Sequence, residues 1–544
     1  MPAKKASASA TRILPCAGLP GHASDRSAEL CCRHPKPVSI TSERRTMSIR
    51  KLRFSSAKSL LLALLSLVGQ GREAIAADIP AQSVLLPDTK AGKLAQGWLE
   101  ACQDSRQIRA WTIAHLSAEA AKNVSVDDIA QEDARKCSID GGYHVAEITK
   151  SDAGVISLLM VGLKSGIWYG MQFNADSTGK IENVGYWPAT PPESSMPKDL
   201  GDAAIATRAK ALVTERAQAG LFSGIVSVAR GTQLVVSASG GYANREKKTP
   251  ITGSTQFTLG SMGKMLTAAA IGQLVDQKKL AFDDKVGKFF PDYPNQTVRD
   301  KVTVSMLLSH TAGLGDFLGK RTPAMMKNGT KRAAEFLTLF DKDEPRFEPG
   351  TKWDYSNAGL VLAGAIVEAA SGEDYPDYLR KHIFAVAGMV NSDPNNIPHK
   401  NAGTVTPYTK RGEKGGTADW HEAEADIGSP AGGALSTADD LVRFADALRS
   451  GKLVSPGVFA QMTKPWRAGE HYGYALEIED VYGRTVVGHS GGYPGVSTYL
   501  HLVLDSPYTV VTLSNFDFPS EPYVGVPVVA LVAERAKRDA AQKP

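Results

Sequence analysis

Between residues 91 and 135 apolar side chains recur at helical spacing: Leu94, Trp98 and Leu99, then Ile108, Trp111, Ile113 and Leu116. That period predicts helices with one buried face. From Gly141 the period drops to two. Residues 143–148, 155–161 and 168–173 alternate, and 180–186 follows a turn at 176–179, which predicts an antiparallel meander. Helices followed by a meander predict a small α+β domain over 78–190. Pro188, Pro191, Pro192 and Pro197 then mark a linker at 191–202. Beyond it the pattern predicts a helix at 203–218 and strands at 222–230 and 233–239. A broken helical region follows to about residue 390. Strands at 472–478, 485–488, 498–504 and 509–514 and a closing helix at 524–538 complete it. Strands at both ends with helices between them predict a second α+β domain over 203–544, its one antiparallel sheet built from both termini.

The charge is unevenly placed. Residues 1–77 hold 13 Lys+Arg and 4 Asp+Glu, which leaves 49 basic and 53 acidic residues in the remainder. The formal charge of +5 therefore gives no reason to expect a nucleic-acid partner. Arg50, Lys51, Arg53 and Lys58, the apolar run 60–68 and the small residues Ala74-Ile75-Ala76 have the layout of a secretory signal. The expectation is a signal peptide at 47–77, with 1–46 a start-site artefact and Met47 the true start. The run is too short for a stable membrane anchor, so the mature protein is expected to be exported, periplasmic or secreted. Cys16, Cys31 and Cys32 fall upstream. Cys102 and Cys137 remain, and in an oxidising compartment they are a disulfide candidate, with two buried free thiols as the alternative.

Ser-x-x-Lys occurs at Ser48, Ser55, Ser177, Ser195 and Ser261, and only Ser261 opens an apolar run of helical length. Three residues apart on a helix, Ser261 and Lys264 share a face. Burial disfavours the charged lysine, and a serine beside a partly neutral amine is an activated nucleophile. Tyr355-Ser356-Asn357 stands in a loop before the apolar run 360–370. Tyr242 and Tyr293 open the same Tyr-x-Asn pattern in turn contexts. A phenol beside an ammonium can serve as a base at neutral pH. His489-Ser490-Gly491-Gly492 follows a strand pattern, and the amides of Ser261 and Gly492 are candidate oxyanion donors.

Ser261-x-x-Lys264, Tyr355-Ser356-Asn357 and His489-Ser490-Gly491 stand in the order seen in the class C β-lactamase-related serine hydrolases, and the chain resembles that family over about residues 205–535. Residues 307–314 and 488–495 look like family segments too. The resemblance implies a serine β-lactamase/transpeptidase-like fold. It implies Ser261 as nucleophile, Lys264 as its helix partner, Tyr355 as general base, and Asn357 bonding Lys264 and the substrate amide. His489 and Ser490 would orient the substrate's carboxylate or carbonyl, with Gly491 and Gly492 beside it. A histidine where the lactamases usually carry Lys-Thr-Gly resembles the peptidase and aminopeptidase branches. Because histidine is mostly neutral at pH 7, carboxylate binding would be weaker. The 78–190 domain loosely resembles the cone-shaped NTF2-like fold.

Residues 488–492 also fit a G-x-S-x-G elbow, but no acid lies between Ser490 and the last histidine, His501. No H-x-H or H-E-x-x-H pattern exists, so neither a metal nor a cofactor is expected. His310 reads as structural. The expected activity is an acyl-enzyme hydrolase acting on small molecules or peptides: amides, D-residue peptides or small esters. The alternative is a penicillin-reactive sensor with little turnover. A third reading gives recognition to residues 78–190.

Overall fold

The computed structural model describes residues 84–123, 125–320, 332–394, 403–412, 415–423 and 428–542. The expected signal at 47–77, the stretch 1–46 and Cys16, Cys31 and Cys32 lie outside them.

The N-terminal domain carries helices α1 (Lys90–Ala101), α2 (Ser105–His115) and α3 (Val126–Asp140). Thr89 caps α1 by accepting from the Gly92 amide, as Asp104 caps α2 at Arg106. The meander follows: β1 (Tyr143–Ser151), β2 (Val155–Gly162), β3 (Trp168–Ala175) and β4 (Ile181–Pro188), antiparallel in that order. The apolar face of α1 buries Leu94 and Trp98 against this sheet; Trp98 packs on Tyr143 at 5.4 Å and Phe173 at 6.1 Å. Removing a buried indole of this kind costs about 3–5 kcal/mol. Cys102 and Cys137 are disulfide-bonded, pinning the end of α1 to α3. The aromatic residues make a packed core, as expected of ordinary core positions.

The second domain opens with α4 (Asp202–Gln218), β5 (Gly224–Arg230) and β6 (Gln233–Gly240). It closes with β9 (Glu477–Val481), β10 (Arg484–Tyr493), β11 (Val496–Val503), β12 (Tyr508–Ser514) and α8 (Pro522–Ala541). The antiparallel sheet runs β9-β10-β11-β12-β5-β6, so the two ends of the domain meet at β12 and β5 as the pattern predicts. Alternation sorts its faces. Val226, Val228, Val486, Val503 and Val510 pack with α4 and α8. Ile225, Val487, Leu500, Val511 and Leu513 join the larger core on the other face. That core contains α5 (Lys264–Asp276), α6 (Asn357–Ser371) and α7 (Ala438–Arg449). Helix α5 is alanine-rich and buried on every side, a central helix rather than an amphipathic one.

Two expectations need correction, and one element was not foreseen. Residues 472–476 are a loop, and β9 begins only at Glu477. Residues 489–492 do not follow a strand but extend β10, because β11 pairs with it as far as Tyr493. A hairpin at β7 (Tyr408–Gly412) and β8 (Gly415–Glu422) gave no alternating signal. The two domains are not independent. Leu221 and Tyr523 of the second lie in the core of the first. Buried Arg216 donates to the Ser165 carbonyl at 2.7 Å. The linker is strapped down by Tyr482 Oη on the Pro191 carbonyl and Arg538 on the carbonyls of Pro197 and Lys198.

Candidate active site

Ser261 does not sit within an α-helix. Residues Gly260–Gly263 form a single 3₁₀ turn, and the α-helix begins at Lys264. Gly260 requires its glycine: its φ is +56°, and a Cβ there would come within 3.1 Å of the Gly492 amide nitrogen. The turn still brings the two side chains together. Lys264 is fully buried, and Nζ donates to Ser261 Oγ at 3.0 Å, to Asn357 Oδ1 at 2.8 Å and to the Ala431 carbonyl. Three partners occupy the amine: the Asn357 and Ala431 oxygens accept from it, and the third position faces the serine hydroxyl. Asn357, at the start of α6, spans the site: its Oδ1 takes the lysine, and its Nδ2 donates to Asp316 Oδ2 at 2.8 Å.

The half-buried Tyr355 presents its ring face to this amine, with Nζ 4.8 Å from the ring centroid. The Tyr355 loop is held by Ser356, which caps α6 at Gly359 and donates through Oγ to the Gly315 carbonyl. Ser261, Lys264, Tyr355 and Asn357, separated by up to 96 positions in sequence, therefore lie together around the Lys264 amine.

The third motif departs from expectation. His489 is 1% exposed and both of its ring nitrogens are occupied: Nε2 by Tyr472 Oη at 2.8 Å, Nδ1 by the Ser490 carbonyl at 2.6 Å. Burial holds this imidazole below its usual pKa, with Glu477 opposing. Ser490, one step along the strand, turns to the other face and donates to Glu477 Oε1 at 2.7 Å. Neither side chain is placed to orient a substrate carboxylate. The strand's backbone edge reaches the site instead. Gly491 fits under the nucleophile segment, where a Cβ would meet the Leu259 carbonyl at 2.0 Å, and Gly492 faces open space.

Sequence reasoning missed several groups. The Gly432–Gly433 turn packs on Gly260, with the Gly433 amide donating to the Gly260 carbonyl at 3.0 Å, and Ala431 beside it supplies a lysine acceptor. The Gly432-Gly433 pair was the available signal. His310 was read as structural, and Tyr472 only as the first residue of a strand.

Residues 208–534 match the family model described as Beta-lactamase. The chain is 31% identical over 320 residues to penicillin-binding protein 4* of Bacillus subtilis (strain 168), a match covering 55% of this chain and 69% of that protein. Against esterase EstB of Burkholderia gladioli it is 27% identical over 301 residues, or 50% and 76% of the two chains. The solved penicillin binding protein from Bacillus halodurans aligns with a TM-score of 0.50 at 28% identity, covering 58% of this chain and 96% of that one. With its second domain matched almost end to end, the chain belongs to the Beta-lactamase family and is a serine hydrolase.

Proposed function

We propose that the protein is an exported hydrolase that works through an acyl-enzyme on Ser261, with amides, D-residue peptides or small esters as substrates. The observation that carries this reading is the Lys264 amine bridging Ser261 Oγ and Asn357 Oδ1. Lys264's charge, facing the Tyr355 ring, stabilises negative charge on the phenol oxygen. Tyr355 takes the Ser261 proton as Oγ attacks the carbonyl, then gives it to the leaving nitrogen or oxygen. The Ser261 and Gly492 amides hold the developing oxyanion. Water repeats the cycle and frees the acid. Asn357 bonds the substrate amide by exchanging its Asp316 contact. Export is supported by the signal-like layout at 47–77 and by the Cys102–Cys137 disulfide, which suits an oxidising compartment.

The test is mass spectrometry after exposure to a fluorophosphonate and, separately, to penicillin. The expected result is a single adduct on Ser261, absent in Ser261→Ala. Hydrolysis that survives Ser261→Ala overturns the reading. The similarity to penicillin-binding protein 4* keeps the low-turnover sensor as a second reading. A burst of product without steady turnover selects it.

A further inference from the structure

Four hydrogen bonds behind the site run in one direction. The Ser356 amide donates to His310 Nδ1 at 3.1 Å. An amide only donates, so Nδ1 carries no hydrogen and the hydrogen of a neutral ring is on Nε2. That nitrogen lies 2.9 Å from Tyr472 Oη, to which it donates. At the far end, His489 Nδ1 faces the Ser490 carbonyl at 2.6 Å. A carbonyl only accepts, so the hydrogen of His489 is on Nδ1, and Nε2 accepts from Tyr472 Oη at 2.8 Å. The phenol receives one hydrogen and gives its own. Each polar atom in the chain is satisfied only if both imidazoles are neutral and of opposite tautomer.

The chain begins and ends on the two later motifs. His310 grips both flanks of Tyr355: its carbonyl accepts from the Asp354 amide at 3.0 Å while its ring accepts from Ser356, and its ring lies 4.4 Å from that of Tyr355. It does so from a left-handed backbone, φ +59°, which a non-glycine residue adopts only where the surroundings hold it. His489 ends at the carbonyl of Ser490, the residue before the Gly491–Gly492 edge. All three are buried, with exposures of 0% for His310, 6% for Tyr472 and 1% for His489.

We propose that His310 and Tyr472 are positioning residues which, through His489, lock the second motif to the third and so set where Tyr355 and the Gly491–Gly492 edge stand relative to Ser261. This rests on the reading of Ser261 as nucleophile. The groups facing the two imidazoles are Lys264 from α5, Trp353 and Tyr355 from the loop before α6, Tyr472, and Glu477 from β9, whose Oε1 is 3.6 Å from His489 Nδ1. Burial, reinforced by Lys264, holds both histidines below the ordinary range, His310 by far. A second proton on His310 would point at the Ser356 N–H, so acid breaks the chain at that end.

The experiment is ¹⁵N NMR of histidine-labelled full-length protein, assigned with His310→Asn and His489→Asn. The expected spectra show His310 as the Nε2–H form and His489 as the Nδ1–H form, both unchanged from pH 8 to about 5.5. Tyr472→Phe keeps the ring and removes the hydroxyl. Its kcat for a p-nitrophenyl ester is expected to fall about tenfold with KM within about twofold, since only placement has changed. Its His489 tautomer preference is expected to weaken. Matching tautomers, titration near pH 6.5, or an unaltered kcat in Tyr472→Phe overturns the proposal. The spectra read the chain even if the variant fails to fold. Absence of any adduct on Ser261 in the parent protein would overturn the hydrolase reading while leaving the tautomer result standing.

Discussion

Replacing Lys264 by methionine separates chemistry from stability. The substitution keeps the volume and removes the amine. Asn357 Oδ1 and the Ala431 carbonyl lose a donor inside the core, and each orphaned acceptor costs about 1–3 kcal/mol. Against this, a buried cation is no longer desolvated, a relief of several kcal/mol. The two terms nearly cancel. The net change in stability should therefore stay within about 2 kcal/mol, and the shift in Tm within about 8 °C. Nothing offsets the chemical loss. Ser261 Oγ loses its 3.0 Å partner and Tyr355 loses the charge facing its ring. Removing a group that assists proton transfer costs about 10²–10⁴ in rate, or roughly 3–5 kcal/mol of activation free energy. The assay is the rate of fluorophosphonate labelling of Ser261 beside a thermal melt. Labelling within tenfold of the parent refutes the role given to Lys264. A Tm loss beyond about 15 °C refutes the claimed cancellation.

The Cys102–Cys137 bond closes a loop with a sequence separation of 35, and chain entropy values such a closure at about 4 kcal/mol. The Cys102→Ala/Cys137→Ala double variant should unfold at markedly lower urea; an unchanged midpoint would contradict this. On the reverse face of the sheet, Tyr499 Oη lies 2.5 Å from Glu477 Oε2 and 2.6 Å from Glu479 Oε1. One hydroxyl hydrogen cannot serve both contacts, so a carboxyl proton completes the second. Burial pushes the Glu479 carboxyl up to about 7. The folded state then holds a proton that the unfolded state releases above about pH 4.5, so this contribution is present at low pH and is lost as pH rises through 7. It amounts to about 3 kcal/mol at most. His501, held at about 3 by burial, acts in the opposite sense below pH 6.5. The measurement is therefore the difference in unfolding free energy between the parent and Glu479→Gln from pH 4.5 to 8. A flat difference would show that Glu479 is ionised throughout.

The parts of the site that could be read from sequence are those whose signal is local. Ser261 and Lys264 are one turn apart, and Tyr355 and Asn357 flank a helix start, so spacing and context single them out. The sheet joining both ends of the domain was visible because its strands alternate. What sequence could not show is which side of β10 faces the nucleophile. A shift of one position exchanges His489 for Ser490, and the pattern 485–488 ended before either residue. The Ala431 carbonyl has no side-chain signature and meets Lys264 across 167 positions. Tyr472 reaches His310 across 162. Long-range bonds of this kind follow from packing, which periodicity does not encode.

The shared core of the two domains has a consequence for how the chain melts and how it can be cut. Tyr523 and Leu221 belong to the catalytic fold by sequence yet are shielded from water by its neighbour. Excising residues 84–190 would leave both exposed and take the Ser165 carbonyl from Arg216, which would keep only Glu215, so a truncated hydrolase would carry a new sticky face. The N-terminal domain is thereby a thermodynamic subunit of the enzyme, and the two are expected to denature as one cooperative body.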